Sequence, residues 1–495
     1  MQGQTQLIQV HPKDNVAVAT MDLAAGTVNE SLGITLPSAV YAGHKVALQS
    51  MPAGTNIVKY GFPIGHLLND VSAGEHIHSH NLKTNLSGQE AYTWSHACED
   101  ATGSKISSDT FMGYRRKNGK VGIRNEVWII NTVGCVNRTA ERIASECERR
   151  FPNACDGFRA FTHPFGCSQL GDDLTDTRAI LAALASHPNA GAVLVVGLGC
   201  ENNQLETLLK QVDRPSQRLR FYNAQQVGDE IAEGIGLVSE MLSVLEGDKR
   251  EPVAVSELVL GVKCGGSDAF SGITANPLVG RITDILTDLG GAVIQTETPE
   301  MFGAEQLLMD RAVSKPVFEN IVDLVNEFKQ YFLDHKQPVY ENPSPGNKAG
   351  GLTTLEEKSL GAVQKGGQAT VRGVLKYGEP LNQNGLSLLQ APGNDAVSST
   401  ALAASGAHIV LFTTGRGTPL GFPVPTLKIS SNSRIAEQKP HWIDFNAGQV
   451  LQGMSPDDCA EQLYQLCLST ASGKQTCNEK NGSHEIAIWK RGVTL

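Results

Sequence analysis

Three histidines at alternate positions, His76, His78 and His80 in GEHIHSHN, form a dense donor set. In extended backbone successive side chains point to opposite faces, so a period of two puts all three imidazoles on one face, within reach of a common divalent ion. The same pattern also fits a polar strand face or a turn with stacked rings. His66, in YGFPIGH, and Lys59 are weaker catalytic candidates that fit loop capping equally well.

Four cysteines, Cys135, Cys167, Cys200 and Cys264, each follow an apolar run at or beside glycine. In a parallel sheet those positions are strand C-termini, where doubly wound folds build ligand sites. A cysteine there is a soft metal ligand, a reactive thiolate favoured by a following helix N-terminus, or a small apolar residue packed beside glycine. The four lack the clustered spacing usual for an iron–sulfur cluster.

The segment Lys263-Cys264-Gly265-Gly266-Ser267-Asp268, followed by Asn276, is glycine-rich at a strand end and carries a cation, hydroxyls and an acid. It suits a carboxylate or a polyol through its backbone N–H groups and polar side chains. It is neither a GxxxxGK[ST] nor a GxGxxG motif, so nucleotide binding is weakly supported. His163, Glu201 with Asn202, Glu297, Glu300, Asn394 with Asp395, and Arg416 stand at comparable strand ends. Such residues point into shared crevices or cap helices.

These candidates require a scaffold of alternating strands and helices. Residues 1–86 alternate short β-like runs (LIQV, NVAVAT, KVAL, NIVKY) with turn signals, which reads as a small β-rich domain. Residues 87–110 are polar and without an amphipathic period, and read as a linker. From 111 to 250 the grammar is strand, glycine-bearing turn, helix: VWIINTVGC, RAFTHPFGC and AVLVVGLGC each precede an amphipathic stretch. The charged run EGDKREP marks a boundary, and 251–495 repeats the grammar. The expected fold is therefore multidomain α/β, a small N-terminal β domain followed by two α/β regions with mainly parallel sheets. Within the last region, VFENIVDLVNEFKQYFLDH reads as an amphipathic helix, and YENPSPGNKAGGLTTLEEKSLGAVQKGG as an extended excursion that lines or covers a site.

The 495 residues exceed one core, and 40% hydrophobic against 19% charged side chains supply material for several. A net charge of −10 argues against a nucleic-acid binder, while leaving room for local basic pockets. The opening MQGQTQLIQV has no signal-peptide pattern, and no apolar run reaches the roughly 18–20 residues that cross a bilayer. A cytoplasmic protein with reduced thiols and no membrane partner is expected.

Taken together, GEHIHSHN, GYRRKNGKVGIRN, HPFGC, GLGCE, KCGGSDAFSGITANP and TTGRGTPLGFPVPTLKISSN resemble the altronate/galactarate dehydratase family, from about His11 to the C-terminus. The resemblance implies an N-terminal β-clip domain of the SAF type and a hydro-lyase acting on a sugar acid. The expected reaction converts altronate to 2-dehydro-3-deoxygluconate in galacturonate breakdown, with galactarate or another aldarate as the alternative substrate. A noncatalytic sugar-acid binding protein is the non-enzyme alternative. The resemblance further implies Fe2+, with Mn2+ as a candidate substitute, and a homodimer is left open.

Such a reaction removes a feebly acidic C2 proton and expels the C3 hydroxyl, and both steps need electrophilic help, a base and an acid. On this reading His76, His78 and His80 hold the metal. Arg124 or Arg416 anchors the substrate carboxylate, Ser267, Asp268 and Asn276 contribute polar contacts, and Lys263 and His163 are the candidate base and acid. Arg115, Arg116 and Lys117 in GYRRKNGK fit a solvated turn better than a site.

Overall fold

The protein is described as a computed structural model covering residues 6–87, 91–95 and 109–495. Most of the stretch read as a linker therefore lies outside the described residues.

Residues 6–87 form short antiparallel strands. One sheet runs Leu7–Ile8, Val16–Ala19, Lys45–Ala47 and His76–Ile77, and another runs Asn56–Lys59, Phe62–Leu67 and Leu82–Lys83. The strand Val16–Ala19 is buried along its whole length and serves two cores. Ala17 and Ala19 pack inside the module with Leu23, Ile34 and Val46, whereas Val16 joins Ile57, Ile64 and Ile77 in the main core of the molecule.

The second region is a four-stranded parallel sheet in the order Phe158–Phe161, Glu126–Asn131, Ala190–Gly197, Leu219–Asn223. Its apolar runs are strands because both faces are covered. Val127, Ile129, Leu194 and Val196 pack against Ile143, Val238 and Met241, on the helices Asn137–Arg150 and Glu230–Leu245. The alternate residues Trp128, Ile130, Val193 and Val195 belong to the main core. A small antiparallel sheet, Val121–Gly122, Thr110–Arg115 and Glu251–Ala254, pairs the segment entering this region with the segment leaving it.

The last region carries a seven-stranded sheet, all parallel, in the order Val371–Leu375, Gly385–Leu389, Ala292–Gln295, Val259–Cys264, Ile409–Thr414, Thr426–Ser430, Phe445–Asn446. After Val259–Cys264 the chain builds to one side, then returns and builds to the other. The crevice at the C-terminal ends of Val259–Cys264 and Ile409–Thr414 is thus a topological switch point. The expected amphipathic helix is Lys315–Asp334, which buries Phe318, Ile321, Leu324, Val325 and Phe328. The expected extended excursion is instead largely helical. Ser344 and Asn347 form a capping box on Pro345–Ala349, and the Thr354 side chain caps Leu355–Ala362. Pro345 stands at the first position of its helix, where its missing N–H costs nothing, and Gly350 and Gly351 separate the two helices. Among the described residues, no helix is long and apolar enough to cross a membrane.

Candidate active site

The strand Val259–Cys264 ends on Lys263 and Cys264, and the next strand, Ala292–Gln295, is followed by Glu297 and Glu300. Glu297 adopts φ 74°, a left-handed conformation costly for a residue with a Cβ, of order 1–3 kcal/mol. Its carboxylate accepts the Cys264 backbone N–H at 2.8 Å and pairs with Lys263 Nζ at 3.1 Å. Lys263, fully buried, also donates to Asp395 (2.7 Å) and Ser398 Oγ (3.1 Å) at the start of the helix Asp395–Ala404. The Cys264 thiol donates to Glu300 Oε2 and accepts from Lys365 Nζ, both at 3.1 Å. Lys358 closes the group by donating to Glu300 Oε1 (2.8 Å) and Asn342 Oδ1 (3.0 Å).

Three ammonium groups thus face three carboxylates around one thiol. Burial opposes the charge on each lysine, yet Glu297 and Asp395 hold Lys263 above the usual lysine range, and Glu300 does the same for Lys358. Burial also raises the Glu297 carboxyl against the pull of Lys263. For Glu300 the lysines Lys358 and Lys365 outweigh burial and keep it ionised. Burial and the two carboxylates push the Cys264 thiol up. Gly265 is required here: a Cβ at that position would lie 2.6 Å from the Asp395 carboxylate oxygens.

A cavity of about 420 Å³ opens on this group, lined by Cys264, Gly266, Glu300, Asn347, Lys358 and Asp395. It is large enough for a six-carbon acid. The donor atoms of Cys264, Glu297 and Glu300 all lie within 4.8 Å of one another, and this is the one such trio among the described residues. Two carboxylates and a thiol form a donor set that suits a divalent transition metal.

The histidines are elsewhere. His76 ends up on a two-residue strand, and His78 opens a turn closed by Asn81 N–H to His78 O, so strict alternation stops at Ile77. His44, His76, His78 and His80 stack with centroids 5.1–5.5 Å apart. His76 Nε2 is 3.0 Å from His44 Nδ1, and His78 Nε2 is 2.9 Å from the Lys348 carbonyl. Their nitrogens do not converge as a trio within 4.8 Å. The cluster seats the N-terminal module on Pro345–Ala349, next to a buried ion pair in which Lys45 and Lys59 both grip Glu357 at 2.8 Å. Lys59 is thereby a structural contact.

Arg124 makes a bidentate pair with Glu479 (2.7 and 3.0 Å) and donates to the carbonyls of Ile123, Thr470 and Lys474. With those donors engaged it ties the second region to the C-terminal segment and has none free for a carboxylate. His163 is buried in the second region, its Nε2 2.8 Å from the Asn131 carbonyl and its Nδ1 accepting from Phe165 N–H, and no contact joins it to the Lys263 group. Asn276 spans Gly361 O and Thr413 Oγ1. Ser267 offers its carbonyl to Asn347, and Asp268 accepts from Ser271, Ser431 and Asn432, which fixes the loop. Arg416 is exposed, donates to Gly346 O, and lines a second cavity of about 560 Å³ with Asp268 and Arg434.

Sequence reasoning missed Lys358 and Lys365. Both lie in LEEKSLGAVQKGG seven residues apart, a helical repeat that puts the two ammonium groups on one side.

Three family models cover the chain: "Altronate/galactarate dehydratase SAF domain" over residues 5–85, "D-galactarate dehydratase/Altronate hydrolase, second domain" over 113–246, and "D-galactarate/Altronate dehydratase, C-terminal" over 255–494. The chain is 51% identical to the altronate dehydratase of Escherichia coli (strain K12) over 99% of its own length and 100% of the relative's. It is also 51% identical to the altronate dehydratase of Bacillus subtilis (strain 168), over 99% of each chain. Against the galactarate dehydratase (L-threo-forming) of Escherichia coli (strain K12) identity is 34%, over 97% of this chain and 96% of that one.

Proposed function

The chain belongs to the altronate/galactarate dehydratase family, and from that premise we propose that it is a hydro-lyase converting altronate to 2-dehydro-3-deoxygluconate and water in the 420 Å³ cavity. The observation that carries the substrate is the 51% identity, end to end, to two altronate dehydratases. The observation that carries the location is the convergence of Cys264, Glu297, Glu300, Lys358 and Asp395 at the switch point.

Lys263 is held protonated by Glu297 and Asp395, so it has no lone pair with which to act as the base. That role falls to Asp395, one-third exposed at the cavity and anchored by Lys263. Its carboxylate takes the C2 proton. Lys358, an ammonium lining the same cavity, donates a proton to the departing C3 oxygen, so hydroxide leaves as water. The C2–C3 enol left behind ketonises, and solvent returns a proton to Lys358 and removes one from Asp395. Arg416, the sequence candidate for the carboxylate anchor, lines the separate 560 Å³ cavity with Asp268 and is not among the residues lining this one.

Cys264, Glu297 and Glu300 fit Fe2+ better than Mn2+, because the thiolate is a softer donor than manganese favours. A ferrous ion held there would supply Lewis acidity toward the substrate's carboxylate and neighbouring hydroxyl. Ligation needs the Cys264 proton and the pairing of Lys365 with the thiol to be given up.

Turnover with altronate, galactarate and glucarate, under reducing conditions with Fe2+ and then with chelator, tests the reading. Altronate should be consumed fastest and chelation should abolish the reaction. Equal rates in metal-free enzyme, or no turnover of altronate, would refute it.

A further inference from the structure

The mechanism leaves unused three exposed thiols, Cys135, Cys167 and Cys200, each in a Gly-Cys pair. They follow three adjacent parallel strands of the second region: Cys167 follows Phe158–Phe161, Cys135 follows Glu126–Asn131, and Cys200 follows Ala190–Gly197. Parallel strands put all three loops at the same sheet edge, neighbours about 4.8 Å apart in the hydrogen-bonding direction.

The loops are stitched to one another. Gly134 N–H donates to Phe165 O (2.9 Å), Asn203 N–H to Gly166 O (2.9 Å), and Ser168 N–H to Asn202 Oδ1 (2.8 Å). The glycines make this closeness possible. A Cβ on Gly134 would lie 2.8 Å from His163 O, one on Gly166 would collide with Thr132 O, and one on Gly199 would lie 2.8 Å from Gln225 Oε1. Beneath the loops Glu201 is buried, its carboxylate accepting from Thr132 Oγ1 and from the backbone N–H groups of Leu198 and Gly199. A rigid floor thus supports three thiols that face outward. Their own contacts are weak: Cys200 Sγ accepts from Gln225 Nε2 at 3.6 Å, and Cys167 Sγ from Ser168 Oγ at 3.9 Å.

We propose that Cys135, Cys167 and Cys200 form a three-thiolate site for an iron–sulfur cluster, leaving one iron without a protein ligand. The three sulfurs do not all lie within 4.8 Å of one another, whereas three thiolates on one tetrahedral ion at about 2.3 Å would. Thiolates on a cubane sit on different irons and stand farther apart. Spacing along the chain, 32 and 33 residues, hides the site because adjacent strands, not a short motif, gather the ligands. Cys264 is excluded, being buried in the other sheet. Assembly balances as two Fe2+, two Fe3+ and four sulfides forming a core of charge +2, with each of the three thiols releasing its proton.

The test uses the full chain, purified anaerobically and reconstituted with ferrous and ferric iron and sulfide. Wild type should bind about four acid-labile sulfides per chain and show a visible charge-transfer absorption band from sulfur to iron. Cys135→Ser, Cys167→Ser and Cys200→Ser should each lose most of both, while Cys155→Ser keeps them. Since these thiols are exposed, the variants should keep the wild-type circular dichroism and unfolding temperature. Labile sulfide distinguishes this site from an ion at Cys264, Glu297 and Glu300, which binds without it. Iron with no labile sulfide, zinc in its place, or sulfide retained in the triple serine variant overturns the proposal.

Discussion

Asp395 and Lys358 approach the same cavity with opposite charge, each held by a buried partner, Lys263 and Glu300. Removing the carboxylate base should therefore affect the chemical step more than binding. Asp395→Asn is expected to lower kcat by about 10²–10⁴ with little change in KM, read from steady-state turnover of altronate. A KM increase at constant kcat would reassign Asp395 to binding. The metal donors make a separate prediction. Glu300→Gln removes a ligand and leaves Lys358 unpaired, so iron retained after gel filtration should fall, and an unchanged iron content would move the ion elsewhere. Holding Fe2+ at 100 times its Kd should stabilise the wild type by about 2.7 kcal/mol, visible as a raised Tm that Glu300→Gln loses.

Among the elements, Leu355–Ala362 bears on two sites at once. Glu357 on this helix holds Lys45 and Lys59 of the N-terminal module, and Lys358, the next residue, reaches the cavity. Burial pushes Lys45 down to about 8 even with Glu357 beside it, so losing that carboxylate leaves two buried ammonium groups unpaired. Glu357→Gln should cost about 3–5 kcal/mol, measured as a drop in Tm; a loss below about 1 kcal/mol would mean that the pair is not what binds the module. The histidine stack adds a pH dependence. Burial holds His44, His76 and His78 below the ordinary histidine range, and with His44 adjacent His76 falls to about 3. Between pH 6.5 and about 3 the unfolded chain carries more protons at His76 than the folded one, so stability declines as pH falls through that window. His76→Gln should flatten the slope of Tm between pH 6.5 and 5, and an unaltered slope would contradict this account.

For the whole molecule, the apolar runs and their glycine stops carried the fold class. Runs such as VLVVG are buried on both faces in a parallel sheet, and the β-rich character of residues 6–87 follows from short alternating runs between turns. The identity with altronate dehydratases was legible for the same reason, because motifs like KCGGSDAFSGITANP are local in the chain. Strand-end position also brought Cys264, Glu297, Glu300 and Asp395 into view as separate candidates. Which of them meet was decided only in three dimensions. Lys365 reaches Cys264 across 101 residues and Lys358 reaches Glu300 across 58, Arg124 is taken by Glu479 over 355 residues, and Lys45 by Glu357 over 312. Local pattern specifies what a segment can become, since periodicity and turn chemistry act over a few residues. Partnership between charges is set by which strand ends the topology brings together, and no spacing along the chain encodes that.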